Sequence, residues 1–157
     1  MAETIYLDTC ILNRPSDDHS QPRIREEVEA LGRILDFVYE GRIRWYSSTA
    51  VRFEIERNPD PIRRIRALNL LSAAHEILRP PSNILIEAAR LSSLGFSPMD
   101  AIHLAMAHEA EVDFLITTDD RFIRLAERRL LDYRTKVVNP IDWMQRRQPW
   151  LLQPPSA

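Results

Sequence analysis

The chain has 157 residues, of which 45% are hydrophobic and 28% are charged, and its formal net charge is -2. This length and apolar content suffice for one globular domain with a hydrophobic core, and they exclude a disordered or fibrous chain. A single cysteine excludes an intramolecular disulfide framework, and no run of 18 apolar residues predicts a membrane span. The N-terminus lacks the basic and apolar regions of a signal peptide, so we expect a cytoplasmic protein that makes no membrane contact.

The first part of the chain predicts two strands, each followed by a helix. Residues 3–7, ETIYL, form the first strand, and a loop separates it from a helix whose apolar residues recur at helical spacing from Pro22 to Val38. Residues 43–48, IRWYSS, form the second strand. The helix after it carries Glu54 and stops at an Asn-Pro-Asp-Pro segment.

The rest of the chain continues this alternation. Helices are predicted over residues 62–74 and 83–94, and EILRPP between them is typical of a short extended piece. Ser97 and Pro98 then open another helix. The segment DFLITTDD predicts a buried strand that runs into two carboxylates. A helix over residues 122–131, a short strand KVVN and a helical turn IDWMQ follow it.

Strands that alternate with helices and are apolar on both faces indicate a central, mostly parallel sheet in a three-layer α/β/α fold. Right-handed crossovers bring the carboxyl ends of all strands to one edge, where open sheets of this class bind ligands. The sequence contains no internal repeat and predicts no second domain. We therefore assign residues 1–148 to one domain and residues 149–157, which include three prolines, to a C-terminal tail.

Four acids fall at positions that this topology brings together. Asp8 and Asp119 directly follow strands, Glu54 lies in the helix after the second strand, and Asp100 lies in the first turn of its helix. Four carboxylates in one pocket repel each other unless a cation neutralises them. A cluster of oxygen ligands suits a hard ion such as Mg²⁺ or Mn²⁺, which binds phosphate oxygens and activates water. The pattern therefore favours metal-dependent hydrolysis of a phosphodiester.

Each acid also has a structural interpretation. Asp100 closes a Ser-x-x-acid pattern that is typical of a capping box. Glu54 has Arg57 three residues later and fits a surface ion pair on a helix. Asp8 and Asp119 are both placed to cap the segments that follow them. These structural roles are compatible with a shared site, so the sequence leaves both interpretations open.

Polar residues beside the acids complete the candidate site. Three threonines are candidates to hydrogen-bond the carboxylates or a scissile phosphate: Thr9, Thr117 and Thr118. His103 lies three residues after Asp100 on the same helix face, and we interpret it as a packed or supporting residue rather than a ligand. Cys10 is a small residue next to the site, and a lone cysteine excludes a zinc site of the cysteine type.

The pattern resembles the PIN domain family, metal-dependent ribonucleases that include the VapC-type toxins of toxin–antitoxin systems. Four segments between residue 4 and about residue 145 carry the resemblance: IYLDTCILN with Asp8, SSTAVRFEI with Glu54, SPMDAIHLAMA with Asp100, and DFLITTDDRF with Asp119. The resemblance implies a three-layer α/β/α fold and a catalytic, metal-binding site made of these four acids. It further implies Mg²⁺ or Mn²⁺ as cofactor, RNA as substrate, a homodimer, and a small antitoxin as partner.

Two positions depart from the family pattern. Cys10 stands where members often have Asn or Ser, and Arg121 stands where many carry an additional acid. Asp120, one place earlier, is better placed to cap the next helix than to bind a metal, so we expect a site of four acids. The expected reaction leaves 5′-phosphate and 3′-hydroxyl ends. The alternative is a PIN-fold module that binds RNA or a protein and cleaves little.

Overall fold

The computed structural model describes residues 2–130 and 132–147, and the predicted tail at 149–157 lies outside them. Five parallel strands form one sheet in the order β3-β2-β1-β4-β5. The strands are β1 (Glu3–Leu7), β2 (Ile43–Ser48), β3 (Glu76–Leu78), β4 (Phe114–Ile116) and β5 (Lys136–Val138). The helices of the described residues are α1 (Thr9–Asn13), α2 (Pro22–Tyr39), α3 (Thr49–Glu56), α4 (Pro61–Leu71), α5 (Ile84–Ser93), α6 (Pro98–Glu109), α7 (Asp120–Arg129) and α8 (Pro140–Gln145).

The central strand shows that helices cover both faces of the sheet. Ile5, Tyr6 and Leu7 of β1 are consecutive and all 0% exposed. Successive side chains of a strand point to opposite faces, so complete burial of three in a row requires a layer on each side. The structure therefore confirms the predicted three-layer α/β/α fold with a parallel sheet. No helix in the described residues is long and apolar enough to cross a membrane.

The strand order places a crevice between β1 and β4. From β1 the chain proceeds to β2 and β3 on one side, and it then crosses to β4 and β5 on the other side. Ligands of open parallel sheets bind at the carboxyl ends of the strands where the order reverses in this way. The ladder brings Leu7 opposite Ile116, and the Asp8 amide donates to the Ile116 carbonyl at 3.0 Å. Asp8 and the residues after Ile116 consequently meet at this crevice.

One element differs from the sequence prediction. The sequence predicts a loop after β1, but this segment contains α1 and a 3₁₀ turn over Arg14–Ser16. A helix of five residues is too short to reveal an apolar period, so the pattern does not indicate it. The Asp8 side chain begins α1 by accepting a hydrogen bond from the Thr9 amide.

Candidate active site

Asp8 lies at the centre of the site and is held at both carboxylate oxygens. Its Oδ1 accepts a hydrogen bond from the Thr9 amide at 2.7 Å, and its Oδ2 accepts one from the Thr117 hydroxyl at 2.8 Å. The side chain is nearly buried because it lies between the ends of β1 and β4. Asp8 is therefore the cap of α1 and a component of the acid cluster at the same time.

Glu54 turns towards Asp8 rather than towards solvent. Ser48, the last residue of β2, caps α3, and this start brings Glu54 over the site. Its Oε1 accepts a hydrogen bond from the Thr9 hydroxyl at 2.8 Å and another from the imidazole of His103. The surface ion pair with Arg57 is therefore not the role of Glu54, since its partners are Thr9 and His103.

His103 contacts the acids from α6, and they favour its positively charged form. It is 1% exposed, and its Nε2 lies 3.8 Å from Asp8 Oδ1 as well as in hydrogen-bond contact with Glu54. Burial disfavours the imidazolium, but Glu54, Asp8 and Asp100 outweigh burial and raise the pKa of His103. Burial likewise opposes the charge of Glu54, but the hydrogen bonds and charge of His103 leave its pKa below the ordinary value.

The structure brings His103 next to two of the predicted acids, Asp8 and Glu54. Asp8, Glu54 and His103 place one ligand atom each within 4.8 Å of one another, and no other such group occurs in the described residues. In the sequence, the signal for this position of His103 is its spacing of three residues from Asp100 on one helix, which places both side chains on the same face.

Asp100 and Asp119 form the more open side of the site. Ser97 caps α6 by accepting a hydrogen bond from the Asp100 amide at 3.3 Å, which is the serine half of the predicted capping box. Asp119 is exposed and caps α7 by accepting hydrogen bonds from the amides of Arg121 and Phe122 at 2.9 and 3.2 Å. Both acids line a cavity of about 110 Å³. Capping therefore accompanies their position in the site.

The prediction that Asp120 caps α7 is wrong. Asp119 has the extended backbone of a cap residue (φ -88°, ψ 104°), and Asp120 is already the first helical residue. The Asp120 carboxylate instead accepts two hydrogen bonds from the Arg23 guanidinium, at 2.6 and 2.7 Å. Arg23 therefore neutralises Asp120, which leaves Asp119 as the acid of this turn that faces the cavity.

Repulsion between the acids appears in the protonation of Asp100. Burial, followed by the negative charges of Asp8 and Asp119, raises the pKa of Asp100 to about 6, although Ser97 and His103 oppose the shift. Asp100 and Asp119 lie outside the tightest group around Asp8, yet they share its electrostatic field. The four predicted acids thus form one negatively charged region at the edge of the sheet.

Comparison with known proteins identifies the family of this chain. The model of the PIN domain family matches residues 5–128, a range that includes all four acids. The chain belongs to the PIN domain family. A chain in the crystal structure of VapBC2 from Rickettsia felis, bound to a DNA fragment from their promoter, is similar with a TM-score of 0.54 and 11% identity, over 85% of this chain and 98% of that chain. Twenty-seven chains of solved structures match, and no curated protein sequence does.

The PIN site has the composition that a divalent cation requires. In the described residues, no arginine or lysine forms an ion pair with Asp8, Glu54, Asp100 or Asp119, and the one basic side chain that pairs with any of them is His103, which pairs with Asp8 and Glu54. Carboxylate oxygens are the ligands that Mg²⁺ and Mn²⁺ prefer. PIN domains are generally nucleases, and this excess of negative charge fits that activity.

Polar neighbours of the PIN site bond to the acids. The Thr9 hydroxyl donates a hydrogen bond to Glu54, and the Thr117 hydroxyl donates one to Asp8. Both threonines therefore hydrogen-bond carboxylates, which is one of the two roles predicted for them. The thiol of Cys10 lies 3.5 Å from Asp8 Oδ2 and accepts the Thr118 amide at 3.4 Å. Burial raises the pKa of Cys10 to about 12, so the sulfur remains a neutral thiol that connects the ends of β1 and β4.

Proposed function

We propose that this PIN domain is a metal-dependent endoribonuclease. Asp8, Asp100 and Asp119 would hold the principal Mg²⁺ or Mn²⁺ ion, and Glu54 would bind a second ion or orient the attacking water. The observation that carries this proposal is the cluster of acids at the β1–β4 crevice, which His103 alone compensates among the described residues. A divalent cation supplies the positive charge that lowers the pKa of water and stabilises the leaving oxygen.

The protein contributes orientation to this reaction. Asp8 is held through both oxygens, so its carboxylate cannot rotate away from the crevice. The described hydrogen bonds of Glu54 end on Oε1, and its side chain is 30% exposed, so Oε2 is available for a second ion or a water molecule. A water oriented by Glu54 would attack phosphorus in line and displace the 3′ oxygen. The products would then carry 5′-phosphate and 3′-hydroxyl ends.

The proposal includes RNA as the substrate and a small antitoxin as the partner. Membership of the PIN family supports RNA hydrolysis, and the likeness to a chain of VapBC2 supports the toxin of a toxin–antitoxin pair. The proposal also takes from the family resemblance that the chain forms a homodimer. A short upstream reading frame that overlaps this one would support the antitoxin, whereas an isolated gene would favour RNA processing.

The test is cleavage of a 5′-labelled RNA by purified protein in Mn²⁺, Mg²⁺ and EDTA. We expect cleavage that requires the metal, that is lost in Asp8→Asn, and that is retained in Asp120→Asn. Asp120 is the matched control because its carboxylate is paired with Arg23. End analysis should find 5′-phosphate on the downstream product.

Two results would contradict the proposal in different ways. Cyclic phosphate ends would show that the 2′-hydroxyl of the RNA attacks, which rules out a water oriented by Glu54. RNA binding without cleavage, by folded protein that binds Mn²⁺, would favour a PIN-fold binding module instead. In that case Asp8→Asn should keep its affinity for RNA.

A further inference from the structure

A chain of buried hydrogen bonds runs beneath the acids. The Ser48 hydroxyl lies 2.6 Å from the Tyr6 hydroxyl, which in turn lies 2.6 Å from His103 Nδ1. His103 Nε2 then hydrogen-bonds Glu54 Oε1. Tyr6, Ser48 and His103 are each at most 1% exposed, so water does not compete for these bonds.

This chain joins the elements that carry the candidate ligands. Tyr6 lies on β1 two residues before Asp8, and Ser48 is both the end of β2 and the cap of α3. His103 lies on α6 three residues after Asp100. The hydrogen bonds therefore connect β1, β2, α3 and α6 directly below the crevice.

The donors and acceptors define the direction of the last bond. A glutamate carboxylate accepts hydrogen bonds, and Glu54 Oε1 already accepts one from the Thr9 hydroxyl at 2.8 Å. His103 Nε2 must therefore carry the proton of this bond. The Tyr6 hydroxyl occupies the other ring nitrogen and can donate to it or accept from it. With a partner on each nitrogen, the ring has one orientation.

We propose that Tyr6 is a positioning residue of the PIN site: its hydroxyl holds the His103 ring, and His103 holds Glu54 Oε1 beside Asp8. Glu54 then meets a cation with its side chain already oriented. This inference rests on the proposed role of Glu54 in metal binding. Neither Tyr6 nor His103 touches the ion. Residues that support ligands in this way typically contribute about 10- to 100-fold to metal affinity or activity.

The test is the affinity of Tyr6→Phe for Mn²⁺. This substitution keeps the buried ring and removes only the hydroxyl. The readout is direct Mn²⁺ binding, measured by titration calorimetry and by the electron paramagnetic resonance signal of the free ion. We expect a fall in affinity of about 10-fold or more. Cleavage by Tyr6→Phe should recover at high Mn²⁺, which Asp8→Asn should not.

Tyr133→Phe is the matched control. Like Tyr6→Phe, it keeps the ring and removes only the hydroxyl. The Tyr133 hydroxyl hydrogen-bonds Glu87 and Arg90, which lie outside the site. The affinity of Tyr133→Phe for Mn²⁺ should equal that of the wild type. Equal affinity in folded Tyr6→Phe and wild type would overturn the role of Tyr6 and leave the proposed function intact. A wild type that binds no Mn²⁺ would overturn the proposed function, and the inference with it.

A measurement on the wild type covers the case in which Tyr6→Phe does not fold. In ¹⁵N-histidine-labelled protein, His103 Nε2 should keep its proton when Mg²⁺ is added, because it remains hydrogen-bonded to Glu54. Loss of that proton with a nitrogen shift typical of a metal-bound imidazole would show that His103 is itself a ligand. That result would overturn the positioning chain while leaving metal binding established.

Discussion

Glu27 and the acids around Asp8 lie near the carboxyl edge of the sheet, and their charges are neutralised in different ways. Glu27 on α2 is 0% exposed and is surrounded by the Nε atoms of Arg14 and Arg23 at 3.2 and 3.5 Å and by Asn139 Nδ2 at 2.9 Å. The acids around Asp8 have only His103 as a cationic partner among the described residues.

This difference separates a structural cluster from the proposed active site. The charge of Glu27 is balanced by the protein, and its partners join α2 to the 3₁₀ turn and to the end of β5. The charge at the PIN site is not balanced, and together with burial, the larger cause, it raises the pKa of Asp100 to about 6. Uncompensated charge costs stability and is typical of sites that bind a ligand. The following experiments test this contrast.

The largest expected effect on stability is that of Glu27→Gln. Removing one partner of a buried ion pair leaves the others uncompensated, which typically costs about 3–5 kcal/mol. Arg14 and Arg23 are partly exposed and keep Asp17 and Asp120 as partners, so we expect a loss at the lower end of this range, about 3 kcal/mol in the free energy of unfolding. Urea denaturation measures it. Cleavage per folded molecule should be unchanged, and an unaltered denaturation midpoint would contradict the structural role.

Asp8→Asn should abolish cleavage without lowering the stability of the metal-free protein, the opposite of Glu27→Gln. In EDTA the variant should be at least as stable as the wild type, because the neutral amide no longer repels Asp100 and Glu54. Mn²⁺ at 100 times its dissociation constant should stabilise the wild type by about 2.7 kcal/mol and the variant much less. Thermal melts with and without Mn²⁺ measure both effects. A clearly lower melting temperature of metal-free Asp8→Asn would contradict the repulsion between the acids.

The pH dependence of stability should reveal Asp100. Its pKa is about 6 in the folded chain against 3.8 ordinarily, so between these values the folded state binds a proton that the unfolded state lacks. The free energy of unfolding should therefore decrease as pH rises from 4 to 6. We expect about 1–2 kcal/mol from this group after allowing for solvent screening. Denaturation in EDTA measures it. The slope of the free energy of unfolding against pH should differ between Asp100→Asn and the wild type. Identical slopes would contradict the raised pKa of Asp100.

The smallest effect should be that of Asp120→Asn. Asp120 and Arg23 have side chains that are 46% and 47% exposed, and exposed ion pairs contribute less than about 1 kcal/mol. Stability and cleavage should both remain close to wild type. Mn²⁺ affinity and cleavage rate provide the check. A large loss of either would show that Asp120 belongs to the metal site despite its pairing with Arg23.

The positions of the acids were predictable because strand ends of a parallel sheet meet at one edge. Asp8 and Asp119 follow buried strands, and this alone predicts that they lie close together. The choice between Asp119 and Asp120 as cap was not predictable, since both residues are acids and only the backbone angles distinguish them. The helix α1 was missed because five residues carry no readable period.

By itself the sequence determined the fold class and the acids of the candidate site, since apolar periodicity and the residues at strand ends are local properties of the chain. Only the tertiary structure decided which charges compensate which acids. Glu27 pairs with Arg14, and Glu54 pairs with His103, which lies 49 residues later in the chain. Such contacts depend on how helices pack around the sheet, and that packing is set by the whole core rather than by any one segment.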